Sequence, residues 1–98
     1  MASVLTVILN WRTADMTLRA AEHAMVAMAG LDGAVVIVDN DSGDGSFNHL
    51  SAQATARGWD RGPRRVRVLQ SGRNGGFGAG TNFGIRAGLP GGARPDYI

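Results

Sequence analysis

The chain has no cysteine, no lysine and no long apolar run within its 98 residues. Without cysteine it can form no disulfide, no zinc–thiolate site and no cysteine nucleophile, as is common in a reducing compartment. No apolar run approaches the roughly 20 residues of a membrane-spanning helix. The first residues also lack the basic region of a secretory signal. We therefore expect a cytoplasmic protein, whose full-length form is at most attached peripherally to a membrane.

All ten basic residues are arginines, but eight acidic residues leave a net charge of only +2. Six of the arginines, called the arginine cluster below, lie in one stretch: Arg57, Arg61, Arg64, Arg65, Arg67 and Arg73. Charged side chains mostly lie on solvated surfaces, and the near-balanced charge is unlike that of nucleic-acid binders. Phosphate or nucleic-acid binding through the cluster is the alternative. We expect no nucleic-acid partner.

Short apolar runs alternate with helical patterns along the chain. Continuous runs of β-branched residues are typical of buried parallel strands, and the third run is less apolar, which indicates a position nearer a sheet edge. The predicted strands are 4–9, 34–38, 66–69 and the beginning of a fourth at 96–98; the predicted helices are 14–29, 47–54 and 79–87. This order predicts one α/β domain over residues 1–98, a Rossmann-like three-layer α/β/α fold with a mostly parallel sheet that stops within its fourth strand.

Polar loops follow each of the first three predicted strands, where ligands bind in parallel α/β sheets. In the first loop, Trp11 can stack on a base and Asn10 can offer amide hydrogen bonds. In the second, Asp39, with Asp41 as second choice, can accept hydrogen bonds from ribose hydroxyls or a base. In the third, glycines precede a helix, and Arg73 can add a charged fork for phosphate. Packing of the tryptophan and turn formation by the aspartates are the structural alternatives.

Several better-known sites are excluded by spacing. The acidic loop does not fit the calcium-binding EF-hand register, because His49 stands where that loop requires glutamate. The glycines before the third helix do not form a P-loop, because Thr81 stands where lysine is required. They also miss the dinucleotide fingerprint, which belongs after the first strand. The two histidines, His23 and His49, lie singly on predicted helices, and no nucleophilic triad can be assembled.

Three stretches together resemble the family 2 glycosyltransferases, and most closely the rhamnosyltransferase-like branch. They are Val7–Trp11, Val35–Ser46 and Asn74–Ile85. The resemblance implies a GT-A fold whose Rossmann-like half binds nucleotide. It implies an inverting transfer from a UDP- or dTDP-sugar to a hydroxyl of a glycan or lipid-linked acceptor, in polysaccharide or cell-envelope glycan synthesis.

The motif match also assigns roles to individual residues. By resemblance, Asn10 and Trp11 line the base pocket, and Asp39 binds the base or ribose. Arg73 and Asn74 lie beside the nucleotide, and Asn82 helps to organise the third loop. The family often carries asparagine at the position of Arg12, which is a departure of this chain.

The catalytic residues of this family are expected beyond the sequence. In the family an Asp-x-Asp-like site after the fourth strand holds Mg²⁺ or Mn²⁺, and a later carboxylate is the general base. Asp96 stands at the start of that strand, not after it, and is not the metal aspartate, so we expect no catalytic or metal-binding residue in this chain. We expect the polypeptide alone to lack transferase activity and to self-associate through its incomplete sheet. The alternative is a non-catalytic Rossmann-like nucleotide-binding or interaction module.

Overall fold

A computed structural model describes residues 2–62 and 65–98. Its strands and helices are β1 (Ser3–Asn10), α1 (Ala14–Ala27), β2 (Asp32–Asp39), α2 (Ser46–Ala56), β3 (Val66–Gln70) and α3 (Phe77–Ala87), with a short 3₁₀ turn at Pro90–Gly92. The predicted alternation of strands and helices is confirmed. The largest differences are of two residues: α1 ends earlier and α2 ends later than predicted, and β2 and α3 begin earlier than predicted. Within the described residues, no helix has the length and apolar character needed to cross a membrane.

The three strands form a parallel sheet in the order β1-β2-β3, so β3 is an edge strand as its composition predicted. β1 and β2 are in register along their whole length, and their last residues, Asn10 and Asp39, face each other. The end of the chain returns to the free side of β1, where Tyr97 forms a single parallel bridge with Val4. Leu5 donates its backbone N–H to the Tyr97 carbonyl over 2.9 Å. The order along the sheet therefore reverses beside β1, and the predicted fourth strand is represented by this one bridge.

Helices cover both faces of the sheet. Because side chains alternate along a strand, Val35 and Ile37 of β2 face α1 and α2, whereas Val36 and Val38 face α3. All four are fully buried, and burying a side chain of this size stabilises the fold by about 1.5–3 kcal/mol. Leu50 completes the core on the α2 side. The three-layer α/β/α arrangement is thus confirmed.

Two glycines allow α3 to lie directly on the sheet. A Cβ atom on Gly80 would collide with Leu9 Cδ1 and lie 2.9 Å from Asn40 Oδ1, and one on Gly84 would lie 2.7 Å from Val7 Cγ1. Such distances are shorter than carbon atoms tolerate without moving their neighbours. The close packing of α3 on the sheet therefore explains why glycine stands at these two positions of the stretch Asn74–Ile85, independent of any ligand.

Candidate functional site

The carboxyl ends of β1 and β2 are joined by a buried hydrogen bond between side chains. Asn10 Nδ2 donates to Asp39 Oδ1 over 2.8 Å, and both residues are almost completely inaccessible to solvent. The oxygen of the Asn10 amide is also hydrogen-bonded, since Thr17 Oγ1 of α1 donates to Asn10 Oδ1 over 2.6 Å. Asn10 therefore ties the first loop to its neighbours, and its amide is shielded from solvent.

The carboxylate of Asp39 is saturated by internal donors. Oδ1 accepts from Asn10 and from the Ser42 hydroxyl at 2.6 Å; Oδ2 accepts from the Ser42 backbone N–H at 3.3 Å and from Gln70 Nε2 at 3.0 Å. A carboxylate offers about four acceptor positions, and all are filled. A ribose hydroxyl could bind Asp39 only if one of these donors were displaced. The observed role of Asp39 is to hold the three loops together.

Asn40 makes the second connection, between the second and third loops. Its Nδ2 donates to Asn74 Oδ1 and to the Gly76 carbonyl, each over 3.2 Å, and its Oδ1 accepts from Ser71 Oγ over 2.8 Å. Sequence reasoning expected Asn82 to organise this loop. Asn82 instead lies exposed on α3, and its side chain has no hydrogen bond to residues 2–62 or 65–98. In the sequence, the feature that could have pointed to Asn40 was its position, because it is an amide residue directly after the most apolar strand.

Trp11 lies beside this network, and its exposed fraction is 45%. The Arg12 guanidinium stands 4.8 Å from the centre of the Trp11 ring. Arg12 has a φ of 57° in the left-handed region, and it is held there by two 2.9 Å hydrogen bonds, from its backbone N–H to Ser42 Oγ and from its Nε to the Ser42 carbonyl. Arg12 therefore covers part of the indole and attaches the first loop to the second.

The seven residues predicted for the nucleotide site lie at the carboxyl edge of the sheet or on α3. They differ in their exposure to solvent. Asn10 and Asp39 are buried and internally bonded. The other five, Trp11, Asp41, Arg73, Asn74 and Asn82, are exposed. Gln70, the last residue of β3, is bonded to the end of β2 and the second loop, since its Nε2 donates to the Asp39 carboxylate and its Oε1 accepts from the Asp41 backbone N–H over 3.1 Å.

Two cavities open near this edge. One, of about 340 Å³, lies between the third loop and α3 and is lined by Asn40, Ser71, Arg73, Gly75, Ala79, Asn82, Phe83 and Arg86. The other, of about 590 Å³, lies where α1 and α2 begin and includes Arg12, Asp15, Asp44 and His49. Of the predicted residues only Arg73 and Asn82 line either one; Trp11, Asp41 and Asn74 line neither. The sequence analysis did not single out Arg86, because a basic residue in the last turn of a helix is common.

Asp44, at the second cavity, forms a local turn with Ser46, the first residue of α2. Its Oδ1 accepts from the backbone N–H of Ser46 at 3.0 Å and from the Ser46 hydroxyl at 2.5 Å. Hydrogen bonds from the hydroxyl and from the backbone of Ser46 lower the pKa of Asp44 below its ordinary value of 3.8.

The arginine cluster is dispersed. Arg57 pairs with Glu22 at 2.9 Å, Arg61 lies 3.7 Å from Asp60, and Arg67 donates to the Gly88 carbonyl. Burial lowers the pKa of Arg67, with a smaller contribution from neighbouring Arg65. Arg64 lies outside the described residues. Three arginines of the cluster therefore contact other groups of the same protein. The absence of a nucleic-acid partner stays a prediction.

The histidines do not form a site. His23 and His49 are exposed on α1 and α2, as predicted, and His49 Nε2 lies 3.8 Å from Asp15 Oδ1. Among residues 2–62 and 65–98, no three His, Cys, Asp or Glu side chains are grouped so that they could hold a metal ion. Comparisons with protein-family models, with curated proteins and with solved structures give no match to this chain.

Proposed function

We propose that this chain is the donor-binding part of an inverting glycosyltransferase of family 2 and GT-A fold, and that it binds the nucleoside diphosphate of a UDP- or dTDP-sugar. The observation that supports this most is the convergence of three polar loops at the carboxyl edge of a parallel sheet, beside the strand where the sheet order reverses. This position is the usual ligand site of open α/β sheets. The three motif resemblances fall on these same loops.

The exposed residues of the site would make the contacts. Trp11 would stack on the base, and the Asp41 carboxylate would accept hydrogen bonds from the ribose or base, because it is accessible where Asp39 is not. Arg73 and the Asn74 amide group would lie beside the phosphates. Asn74 is suited to this, since its oxygen accepts from Asn40 and Gly76, and its Nδ2 has no partner among the described residues and can donate to a ligand.

The buried pair would act indirectly. Asn10 and Asp39 would hold the first and second loops at a fixed separation, so that little ordering is needed when nucleotide binds. The transfer to an acceptor hydroxyl, and the Mg²⁺ or Mn²⁺ that would offset charge on the leaving diphosphate, enter the proposal through the family resemblance alone. The described residues would bind the nucleoside diphosphate that leaves in this transfer.

Tryptophan fluorescence tests the proposal. Trp59 is buried beneath Arg57 on the α2 side, so Trp59→Phe leaves Trp11 as the only tryptophan, and Trp11→Phe is the matched control. We expect UDP or dTDP to change the Trp11 signal saturably at micromolar to millimolar concentration, and to leave the Trp59 signal unchanged apart from absorption by the nucleotide. Asp41→Asn should weaken binding about tenfold through loss of a charged acceptor. Equal responses from the two tryptophans would contradict the proposal.

A non-catalytic interaction module of the same fold is the second candidate, favoured by the internal saturation of Asn10 and Asp39. The Trp11 titration separates the two candidates, because a module that only binds other proteins predicts no saturable response to UDP or dTDP. Among the described residues only Ser3 to Leu5 are paired on the outer edge of β1, and Tyr97 and Ile98 beside it are exposed. An unpaired edge invites another strand, so we expect concentration-dependent self-association in light scattering.

A further inference from the structure

The smaller cavity, between the third loop and α3, brings two arginines together. Arg73 comes from the loop, and Arg86 comes from the last turn of α3. The helix contributes Ala79, Asn82, Phe83 and Arg86, which lie three or four residues apart and so share one face. The volume, about 340 Å³, lies within the range of small-molecule sites, roughly 300–1,000 Å³.

The charge of this cavity is uncompensated. None of its lining residues is acidic. Neither the Arg73 nor the Arg86 side chain has a hydrogen bond or a carboxylate within 4.0 Å among residues 2–62 and 65–98. Arg57 and Arg61, by contrast, each have a carboxylate partner. Two guanidinium groups at one concave surface attract an anion strongly, because each can donate two parallel hydrogen bonds.

We propose that this cavity is a binding site for a phosphate dianion, held by Arg73 and Arg86 with the Asn82 amide as a neutral donor. The charge argues for a dianion, since a phosphate monoester carries about −1.5 to −2 at neutral pH and balances both arginines. A single carboxylate would leave one of them unbalanced. Planar guanidinium groups match the oxygens of phosphate.

The proposal shares Arg73 with the proposed function but does not depend on it. Asn10, Trp11, Asp39 and Asp41 do not line this cavity, so a phosphate could bind here whether or not a base stacks on Trp11. The phosphate could be part of a nucleotide or of another phosphate ester. The chemistry of the site is the same in both cases, and the experiment separates the two sources.

The test is a titration with inorganic phosphate at constant ionic strength, followed by NMR of the arginine Nε–H groups and the backbone. We expect saturable shifts at Arg73, Arg86 and Asn82. Arg86→Gln and Arg73→Gln should each weaken binding about tenfold, as expected for loss of a charge-assisted hydrogen bond. The matched control is Arg19→Gln, which removes the same charge from exposed α1 on the opposite face of the sheet and should change affinity less than about twofold.

A second variant tests whether the anion binds inside this cavity. Asn82→Asp keeps the shape of an exposed side chain but adds a carboxylate to the cavity, and it should abolish phosphate binding while leaving the unfolding midpoint nearly unchanged.

A comparison of UDP with uridine shows which molecule supplies the bound phosphate. If the nucleotide diphosphate occupies the cavity, Arg86→Gln weakens UDP but not uridine; if another phosphate ester does, neither changes while phosphate binding still falls.

Two results would overturn the proposal. One is equal weakening by Arg19→Gln and Arg86→Gln, which would show a diffuse response to net charge. The other is the absence of saturable shifts at Arg73 and Arg86 while the protein remains folded.

Discussion

Asn10 donates its side-chain amide to the carboxylate of Asp39 over 2.8 Å, and this contact joins the carboxyl ends of β1 and β2 inside the protein. The exposed fractions of the two residues are 0% and 1%. A buried carboxylate is tolerated only when its oxygens are hydrogen-bonded, and Asp39 meets this condition with donors from the last residues of β1 and β3 and from Ser42 in the loop after β2. The geometry of the candidate site therefore depends on a residue that no ligand can reach without displacing a donor.

Asp39→Asn should destabilise the fold by about 2–4 kcal/mol, because the new amide N–H₂ would face donors in place of an acceptor. Gln70 cannot simply rotate to compensate, since its Oε1 already accepts from the backbone N–H groups of Asp41 and Gly72. Asp41→Asn is the matched control and should change the free energy of unfolding by less than about 0.5 kcal/mol, as surface substitutions usually do. Urea denaturation measures both, and equal effects would show that the Asp39 network contributes little.

Gly80→Ala should destabilise by about 1–3 kcal/mol, because the added methyl group would overpack Leu9 and Asn40. This loss should exceed the gain of about 1 kcal/mol that alanine offers over glycine in a helix. Gly78→Ala in the same helix has open space around its Cβ position and should stabilise the protein by up to about 1 kcal/mol. Thermal unfolding of the two variants checks the opposite signs, and stabilisation by both would mean that α3 lies farther from the sheet.

Asp96 should titrate below its ordinary pKa of 3.8, because the backbone N–H of Ser3, and then the Ser3 hydroxyl, donate to its carboxylate. Since the folded-state pKa is depressed, the stabilisation is present above pH 3.8 and is lost as the pH falls through the folded-state pKa. Ser3→Ala should raise the pKa of Asp96 part of the way, since the backbone donor remains. NMR titration of the carboxyl carbon measures this; a pKa at or above 3.8 would mean that the Ser3–Asp96 contact does not form.

The layout of the fold could be predicted because it depends on local patterns. The apolar run at 34–38 predicted a strand buried on both faces, and β2 lies at the centre of the sheet. The lower apolar content of Val66–Leu69 predicted an edge position, which β3 occupies. Carboxyl ends of neighbouring parallel strands meet at one edge, so the convergence of the loops followed from the strand order.

Accessibility of the site residues could not be predicted in the same way. Asn10 and Trp11 are adjacent in sequence, yet one is buried and the other about half exposed. The difference arises from Thr17, Asp39 and Ser42, which lie 7, 29 and 32 residues from Asn10 in the sequence and surround its amide. The role of Asn40 and the position of Arg86 at the cavity likewise depend on how closely α3 packs on the sheet, which only the three-dimensional arrangement reveals.

The central claim is that the three loops at the carboxyl edge form one nucleotide site, and an amide NMR titration of the chain with UDP tests it most directly. The account predicts that saturable shifts with one common dissociation constant appear together in the loops after β1, β2 and β3, including Trp11, Asp41 and Asn74, and that the amino ends of the strands do not respond. Shifts confined to one loop, or spread over the opposite edge of the sheet, would contradict it.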